Sequence, residues 1–286
     1  VTDTKALALT RMLAQDRLVR AVGAHNGLTA RLVELAGFDA VWASGLELSA
    51  SYGLPDASLL TMTQLLDAAE AMDAATTIPV IADCDTGFGG PLNVAHMVRS
   101  YQRRGISAVC IEDKVFPKMN SFAPVIHRLL PVEAFAEKIR VAVGTRQPGR
   151  LVVLARTEAL VAGYGVGEAL TRARAYAAAG ADAILVHSKS TGPDQVLEFA
   201  EAWDLPTPLV AVPTTYPQAS EDLLHAAGFR VVIYANQGLR SMVRGAMRTL
   251  HELHEARCAK AVEDEICTLD EIFALQDSDA AAEVWS

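Results

Sequence analysis

Short apolar runs recur along the chain, and each is followed by a stretch with helical spacing. The runs are Leu18–Gly23, Ala40–Ala43, Pro79–Ala82, Ala108–Ile111, Leu151–Ala155, Ala183–Val186, Leu209–Val212 and Val231–Tyr234. They are rich in Val, Ile and Ala and show little polar/apolar alternation. That pattern predicts strands covered on both faces, as in a parallel sheet. The intervening segments predict helices at Leu28–Ala36, Met62–Ala75, Leu92–Arg103, Val132–Thr145, Gly167–Ala179, Pro193–Ala202, Ser220–Ala227 and Gly238–Ala256. Gly37, Gly105, Gly180 and Gly228 stand just before the next strand, where a left-handed residue ends a helix. Eight such units predict an α/β fold of the (β/α)8 TIM-barrel type, with an open doubly wound sheet as the alternative. The whole chain, 1–286, reads as one barrel domain with a helical C-terminal extension from about residue 257. A last helix, Thr268–Asp277, follows the charged stretch Lys260–Glu265 and carries Leu269, Ile272, Phe273 and Leu275, which suit packing on a neighbouring subunit or on the same barrel.

Composition narrows the function. Hydrophobic residues make up 51% of the 286 and charged residues 21%, enough apolar material for one large core. The net charge is −9 and the basic residues are scattered, which sets nucleic-acid binding aside. An acidic enzyme still binds anions where a metal and local Arg or Lys focus positive potential. Cys84, Cys110, Cys258 and Cys267 form no CxxC pair and read as reduced, buried thiols of a cytoplasmic protein. Residues 1–16 do not read as a signal peptide, and no apolar run is long enough to span a membrane. No GxGxxG or GxxxxGK[ST] sequence is present, which weighs against the common nucleotide sites.

In a barrel of this kind the chemistry gathers on the loops after the strands. Ser44-Gly45 after the second strand offers a hydroxyl and backbone N–H groups to an anion, or is simply a tight turn. Asp83-Cys84-Asp85-Thr86-Gly87 after the third puts two carboxylates at a strand mouth, a donor set suited to Mg²⁺. Glu112-Asp113 after the fourth completes the surroundings of such a metal. Lys118, Asn120 and Ser121 follow on a polar loop able to close over a ligand. Arg156 after the fifth strand suits bidentate recognition of carboxylate or phosphate. His187 after the sixth is a donor to an oxyanion or a structural histidine. Thr214, Thr215, Tyr216 and Asn236 after the last two shape the floor or the rim. His251 and His254 share a helix face without a carboxylate nearby and read as surface residues.

These motifs together resemble the isocitrate lyase/phosphoenolpyruvate mutase superfamily. The resemblance runs from Ala24-His25-Asn26-Gly27-Leu28 to Leu269-x-Glu271-Ile272-Phe273-x-Leu275-Gln276. It rests on Trp42-x-Ser44-Gly45-Leu46, Asp83-x-Asp85-Thr86-Gly87, Ala155-Arg156-Thr157-Glu158-Ala159 and, most strongly, Glu112-Asp113-Lys114 followed after five residues by Asn120-Ser121. It implies that Asp83 binds Mg²⁺ directly and that Asp56, Asp85 and Glu112 hold the metal's waters. Trp42, Ser44, Gly45 and Leu46 would receive the pyruvyl end of a substrate. Lys118, Asn120, Ser121, Arg156 and His187 would hold the phosphoryl group or the pyruvyl oxygen. It also implies a loop that opens and closes, a last barrel helix exchanged between subunits, and dimers paired into homotetramers.

Within the superfamily, isocitrate and methylisocitrate lyases carry a Lys-Lys/Arg-Cys-Gly-His loop. Here the stretch is Lys118-Met119-Asn120-Ser121-Phe122, with no thiol. That points to phosphoryl transfer on phosphoenolpyruvate or phosphonopyruvate, in which positioning and electrostatics dominate. Lys118-x-Asn120-Ser121 is similar to the mutases and favours that activity. Ser49–Ala57, Tyr216-Pro217-Gln218 and Ile233-Tyr234 are similar to phosphonopyruvate hydrolase, the alternative. Ala123–Arg128 departs from both, which have an Asp-Gly-rich segment there, and points to a changed lid or substrate. A carbon–carbon lyase on a related oxo-acid and a non-catalytic barrel binding small acids are the further alternatives. The intact Asp83/Asp85/Glu112 set argues against the latter.

Overall fold

A computed structural model describes residues 4–276. The chain divides into two compact units, residues 1–236 and 237–286. In the first, eight parallel strands close in sequence order: β1 (Val19–Ala24), β2 (Ala40–Ala43), β3 (Val80–Asp83), β4 (Ala108–Glu112), β5 (Val152–Thr157), β6 (Ala183–Val186), β7 (Leu209–Ala211) and β8 (Phe229–Tyr234). The ring is completed by β8 pairing with β1, Val19 opposite Val231. Helices α2 (Gly27–Leu35), α4 (Met62–Ala75), α5 (Pro91–Arg103), α6 (Val132–Thr145), α7 (Gly165–Ala178), α8 (Asp194–Glu201) and α9 (Glu221–Ala226) follow the strands. This is the expected barrel. Gly37, Gly105, Gly180 and Gly228 all have positive φ, between 81° and 103°, as helix-ending residues require.

The sequence pattern missed two helices. Helix α1 (Lys5–Leu13) precedes the barrel, and its Leu9 and Leu13 join the apolar cluster of the barrel interior, so α1 caps one end. Helix α3 (Gly45–Ser51) starts directly after β2, with the Ser44 side chain accepting from Glu47 N at 3.3 Å. Ser44 is thus a helix cap rather than part of a bare turn, and the first backbone N–H groups of α3 are those of Gly45 and Leu46.

Side-chain parity along the strands decides what reaches the site. One core cluster fills the barrel: Ala40 and Trp42, Ile81, Ala108 and Cys110, Val152 and Leu154, Ala183 and Leu185, Val210 and Val212, Val231 and Ile233. The alternate residues, such as Val109, Ile111, Val153 and Ala155, pack outward against the helices. A strand side chain two residues beyond an interior one faces the same way. Ser44, Asp83, Glu112, Arg156, His187, Thr214 and Ala235 therefore continue the interior rows at the mouth.

The second unit holds α10 (Gln237–Ala256), 3-10 turns at Ala259–Ala261 and Glu263–Glu265, and α11 (Leu269–Leu275). Asp277, the expected end of the last helix, lies outside the described residues. Within this unit Arg248 pairs with Glu265 at 3.3 Å, and His251 and His254 are exposed. Cys84 and Cys110 are buried as expected, but Cys258 and Cys267 are exposed, because they lie on the turns after α10 and not in strands. No helix of the described residues is long and apolar enough to cross a membrane.

Candidate active site

At the mouth, strand-end residues and the loop after β4 enclose a small pocket of about 50 Å³. On the same measure one water needs roughly 10–15 Å³, so the space suits a small, few-atom ligand. Trp42, Ser44, Leu46, Asp56, Asp83, Lys118, Asn120, Ser121, Arg156 and His187 all line it. Gly45, Asp85 and Glu112 do not line it and stand close behind. A Cβ built on Gly45 would lie 3.1 Å from Asp83 Oδ2, so the bare backbone there lets the Ser44–Leu46 turn sit against the carboxylate. Phe122, Val212, Thr214, Ala235 and Asn236 complete the wall.

The loop after β4 is pinned by buried charge. Lys118, 5% exposed, reaches Asp56 Oδ1 at 2.5 Å and Asp85 Oδ1 at 3.2 Å. Asn120 Nδ2 donates to Asp56 Oδ2 at 2.7 Å, and Asn120 Oδ1 accepts from Phe122 N at 3.0 Å. Ser58 Oγ donates to Asp85 Oδ2 at 2.9 Å and accepts from Lys118 N at 3.2 Å. Burial alone would strip the proton from Lys118, but Asp85, Asp56, Glu112 and Asp83 hold it far above its usual range. Burial pushes the Asp56 carboxyl up, yet Lys118 and Asn120 outweigh it and hold Asp56 below the ordinary carboxylate value. Lys118 and Ser121 are thus buried against the pocket, while Phe116, Met119, Phe122 and Ile126 of the same loop remain exposed.

A second network centres on Glu158, which sequence reading quoted in a motif without giving it a role. It is fully buried two residues beyond Arg156, on the same face of the chain. Arg156 Nε lies 2.6 Å from its Oε1, Lys114 Nζ 2.9 Å from its Oε2, and Ser121 Oγ donates to Oε2 at 2.6 Å. Ser121 Oγ in turn accepts from Lys114 Nζ at 2.7 Å and from Arg156 Nη2 at 3.1 Å. Burial raises the Glu158 carboxyl, but Arg156, His187 and Lys114 drive it well below the usual range. His187 Nδ1 sits 2.9 Å from Glu158 Oε1 and 2.9 Å from Arg156 Nη2. A carboxylate only accepts and a guanidinium only donates, so Nδ1 bonds Glu158 when it carries the proton and Arg156 when it does not. Burial lowers the His187 pKa against the opposing pull of Glu158.

Asp113 was expected beside Glu112 at the metal, and the structure corrects this. Adjacent strand residues face opposite ways. Glu112 points to the mouth, whereas Asp113 points outward and accepts from Tyr176 Oη at 2.8 Å, Thr157 Oγ1 at 3.1 Å, Arg172 Nη1 at 3.2 Å and Glu158 N at 2.9 Å. It fastens β4 to α7 and to the Glu158 backbone. Tyr216 is fully buried and does not line the pocket, while Thr214 and Asn236 do.

Among the described residues no three His, Cys, Asp or Glu side chains converge as direct ligands of one metal. Mg²⁺ does not require that, since it takes one or two carboxylates and keeps several waters. The donors present fit such an ion. Burial, with Asp85 and Glu112 adding and Lys118 and Arg156 opposing, pushes the Asp83 carboxyl up to about 7. Glu112 Oε1 is buried without a hydrogen bond and has the Lys114 ammonium 3.5 Å away. The buried Asp85 and Glu112 carboxyls with the half-buried Asp83 form a place where a hydrated cation relieves repulsion.

Comparison with known proteins agrees with this geometry. The family model described as phosphoenolpyruvate phosphomutase matches residues 9–254. The chain is 42% identical over 275 residues to phosphonopyruvate hydrolase of Variovorax sp. (strain Pal2), covering 96% of this chain and 95% of that one. A crystal structure of phosphoenolpyruvate phosphomutase from Streptomyces platensis subsp. rosaceus superposes with a TM-score of 0.96 at 49% identity, covering 98% and 97% of the two chains. A phosphonopyruvate hydrolase solved in complex with oxalate and Mg++ gives a TM-score of 0.93 at 41% identity, covering 98% of each chain. The chain is an enzyme of the phosphoenolpyruvate phosphomutase family, within the isocitrate lyase/phosphoenolpyruvate mutase superfamily.

Proposed function

We propose that the enzyme is a Mg²⁺-dependent phosphoenolpyruvate mutase, interconverting phosphoenolpyruvate and phosphonopyruvate. The observation that carries this reading is Asn120. Its carboxamide lines the pocket with one N–H tied to Asp56. An amide nitrogen has two N–H donors, so a second remains for a migrating phosphoryl group. In the cleavage direction the C3–P bond of phosphonopyruvate breaks and its electron pair stays on the three-carbon enolate. The phosphoryl group, metaphosphate-like, turns and forms a new P–O bond to the enolate oxygen. No proton is gained or lost overall, so water must be kept out.

The protein's part is positioning and charge. The N–H groups that begin α3, with Ser44, receive the pyruvyl carboxylate and oxygen. Arg156, His187 and Asn120 hold the phosphoryl oxygens, Ser121, whose one proton goes to Glu158, holds Arg156 in place, and Trp42, Leu46 and Phe122 exclude water. Phe122 meets the His187 ring edge-on at 5.6 Å between centroids. Lys118, fixed to Asp56 and Asp85, closes the loop. A phosphoryl anion at His187 would favour a proton on Nε2, which makes that nitrogen a donor. Asp83, with Asp56, Asp85 and Glu112 through waters, would hold the Mg²⁺, which neutralises charge on the pyruvyl oxygens. Assembly into homotetramers with α10 exchanged between subunits belongs to the same reading.

Phosphonopyruvate hydrolase is the second reading, favoured by the Variovorax relative. There water captures the phosphoryl group, C3 takes a proton, and pyruvate and phosphate leave. A coupled assay separates the two. Phosphonopyruvate, lactate dehydrogenase and NADH report pyruvate directly. With Mg²⁺ present throughout, the mutase reading expects NADH oxidation only after pyruvate kinase, ADP and K⁺ are added. Oxidation without them supports the hydrolase.

A further inference from the structure

Lys138 lies on α6, outside the pocket, and is only 6% exposed. Its ammonium donates to Thr86 O at 2.9 Å, and among the described residues it has no carboxylate partner. A buried charge with a single hydrogen bond is costly and needs a reason to persist. Burial also lowers its pKa, with nothing opposing.

The reason lies in the segment it grips. Thr86 sits in the turn that carries Asp83 and Asp85. That turn is conformationally demanding: Asp85 has φ 48°, Gly87 83°, Phe88 59° and Gly89 140°. Non-glycine residues in the left-handed region persist only where their surroundings over-determine them. Several contacts do so. Asp85 N donates to Asp83 Oδ1 at 3.2 Å, Gly87 N to Cys84 O at 2.9 Å, and Glu112 N to Asp85 O at 2.8 Å. A Cβ on Gly87 would lie 2.7 Å from Val94 Cγ2, so the turn is also packed hard against α5. Thr86 is fully buried and its own hydroxyl has no partner, so its carbonyl is held from α6 and its side chain anchors nothing.

We propose that Lys138 is a positioning residue for the divalent-cation site. Through Thr86 O it fixes the turn that presents Asp83 and Asp85. This rests on the reading of Asp83, Asp85 and Glu112 as a cation site. Outer groups that orient metal-binding side chains typically matter by about 10- to 100-fold in affinity.

The test is a binding titration of the intact protein with Mn²⁺, followed by the loss of the free-ion electron paramagnetic resonance signal. The K138M variant is expected to bind Mn²⁺ about 10- to 100-fold more weakly, while kcat at saturating Mg²⁺ falls by less than about threefold. K138Q keeps a neutral donor and is the variant to use should K138M fail to fold by circular dichroism; its Mn²⁺ affinity is expected to fall by at least about threefold. Wild-type Mn²⁺ affinity in a folded K138M or K138Q protein would overturn the proposal. A loss of kcat that saturating metal does not restore, with affinity unchanged, would do the same. A wild-type protein that binds no Mn²⁺ would instead sink the cation site itself, and Lys138 with it.

Discussion

Asn120 and Asp56 are joined by a 2.7 Å hydrogen bond, Nδ2 to Oδ2, while the other Asp56 oxygen takes the Lys118 ammonium. One carboxylate from the α3–α4 connection thus sets two residues of the loop after β4. The clamp therefore sets the direction of the Asn120 amide at the pocket wall.

Substituting Asn120→Ala removes the amide but leaves Asp56 paired with Lys118. We expect kcat to fall by about 10²-fold, as for the loss of one aimed donor, with thermal stability nearly unchanged. Steady-state kinetics on phosphonopyruvate check this. An unchanged rate and unchanged products would remove Asn120 from the mechanism.

Asp56 predicts a pH dependence. Its carboxyl is held below 3.8 in the folded protein by Lys118 and Asn120, despite burial. The ionised form is therefore favoured by folding. Its contribution is fully present above the unfolded carboxylate value and is lost as pH falls through the folded one. The stability gap between wild type and Asp56→Asn should be constant at neutral pH and shrink below about pH 4. Urea unfolding at a series of pH values measures it. A gap that grows on acidification contradicts the assignment.

Glu158 is the hub of the second network. Glu158→Gln keeps the shape but leaves Glu112, at 3.2 Å and 3.5 Å, to balance both Arg156 and Lys114. We expect a loss of about 3–5 kcal/mol of stability, together with reduced activity. Urea unfolding reads the first, and a loss under about 1 kcal/mol would show the network to be solvated.

Asp83→Ala removes the carboxylate assigned to direct metal contact. Calorimetric titration with Mg²⁺ should show no binding at concentrations that saturate the wild type, and turnover should vanish. Wild-type-like binding would move the metal elsewhere.

Much of this was legible in the sequence, for identifiable reasons. The strands were found because both faces are buried, leaving continuous apolar runs such as Ala183–Val186. The helix-ending glycines were found because their left-handed φ demands them. Asp83, Arg156 and His187, which line the pocket, were legible because they directly follow the apolar strand runs, and Lys118 because it stands on the loop after β4. Asp113 was misplaced because adjacency in sequence was read as adjacency in space, although strand parity turns it away from Glu112. The same parity, counted two residues on from Arg156, would have flagged Glu158. Helix α3 was hidden because its cap, Ser44, also reads as a turn and an anion donor. Helix α1 lay before the first strand, where the repeat had not begun.

The central claim is that a phosphoryl group moves from carbon to oxygen within a pocket closed to water. The most direct test is ³¹P NMR of phosphonopyruvate incubated with the purified enzyme and Mg²⁺. The account predicts a growing phosphoenolpyruvate resonance with no inorganic phosphate. Inorganic phosphate appearing alone, with pyruvate as the co-product, would contradict it and make the enzyme a hydrolase.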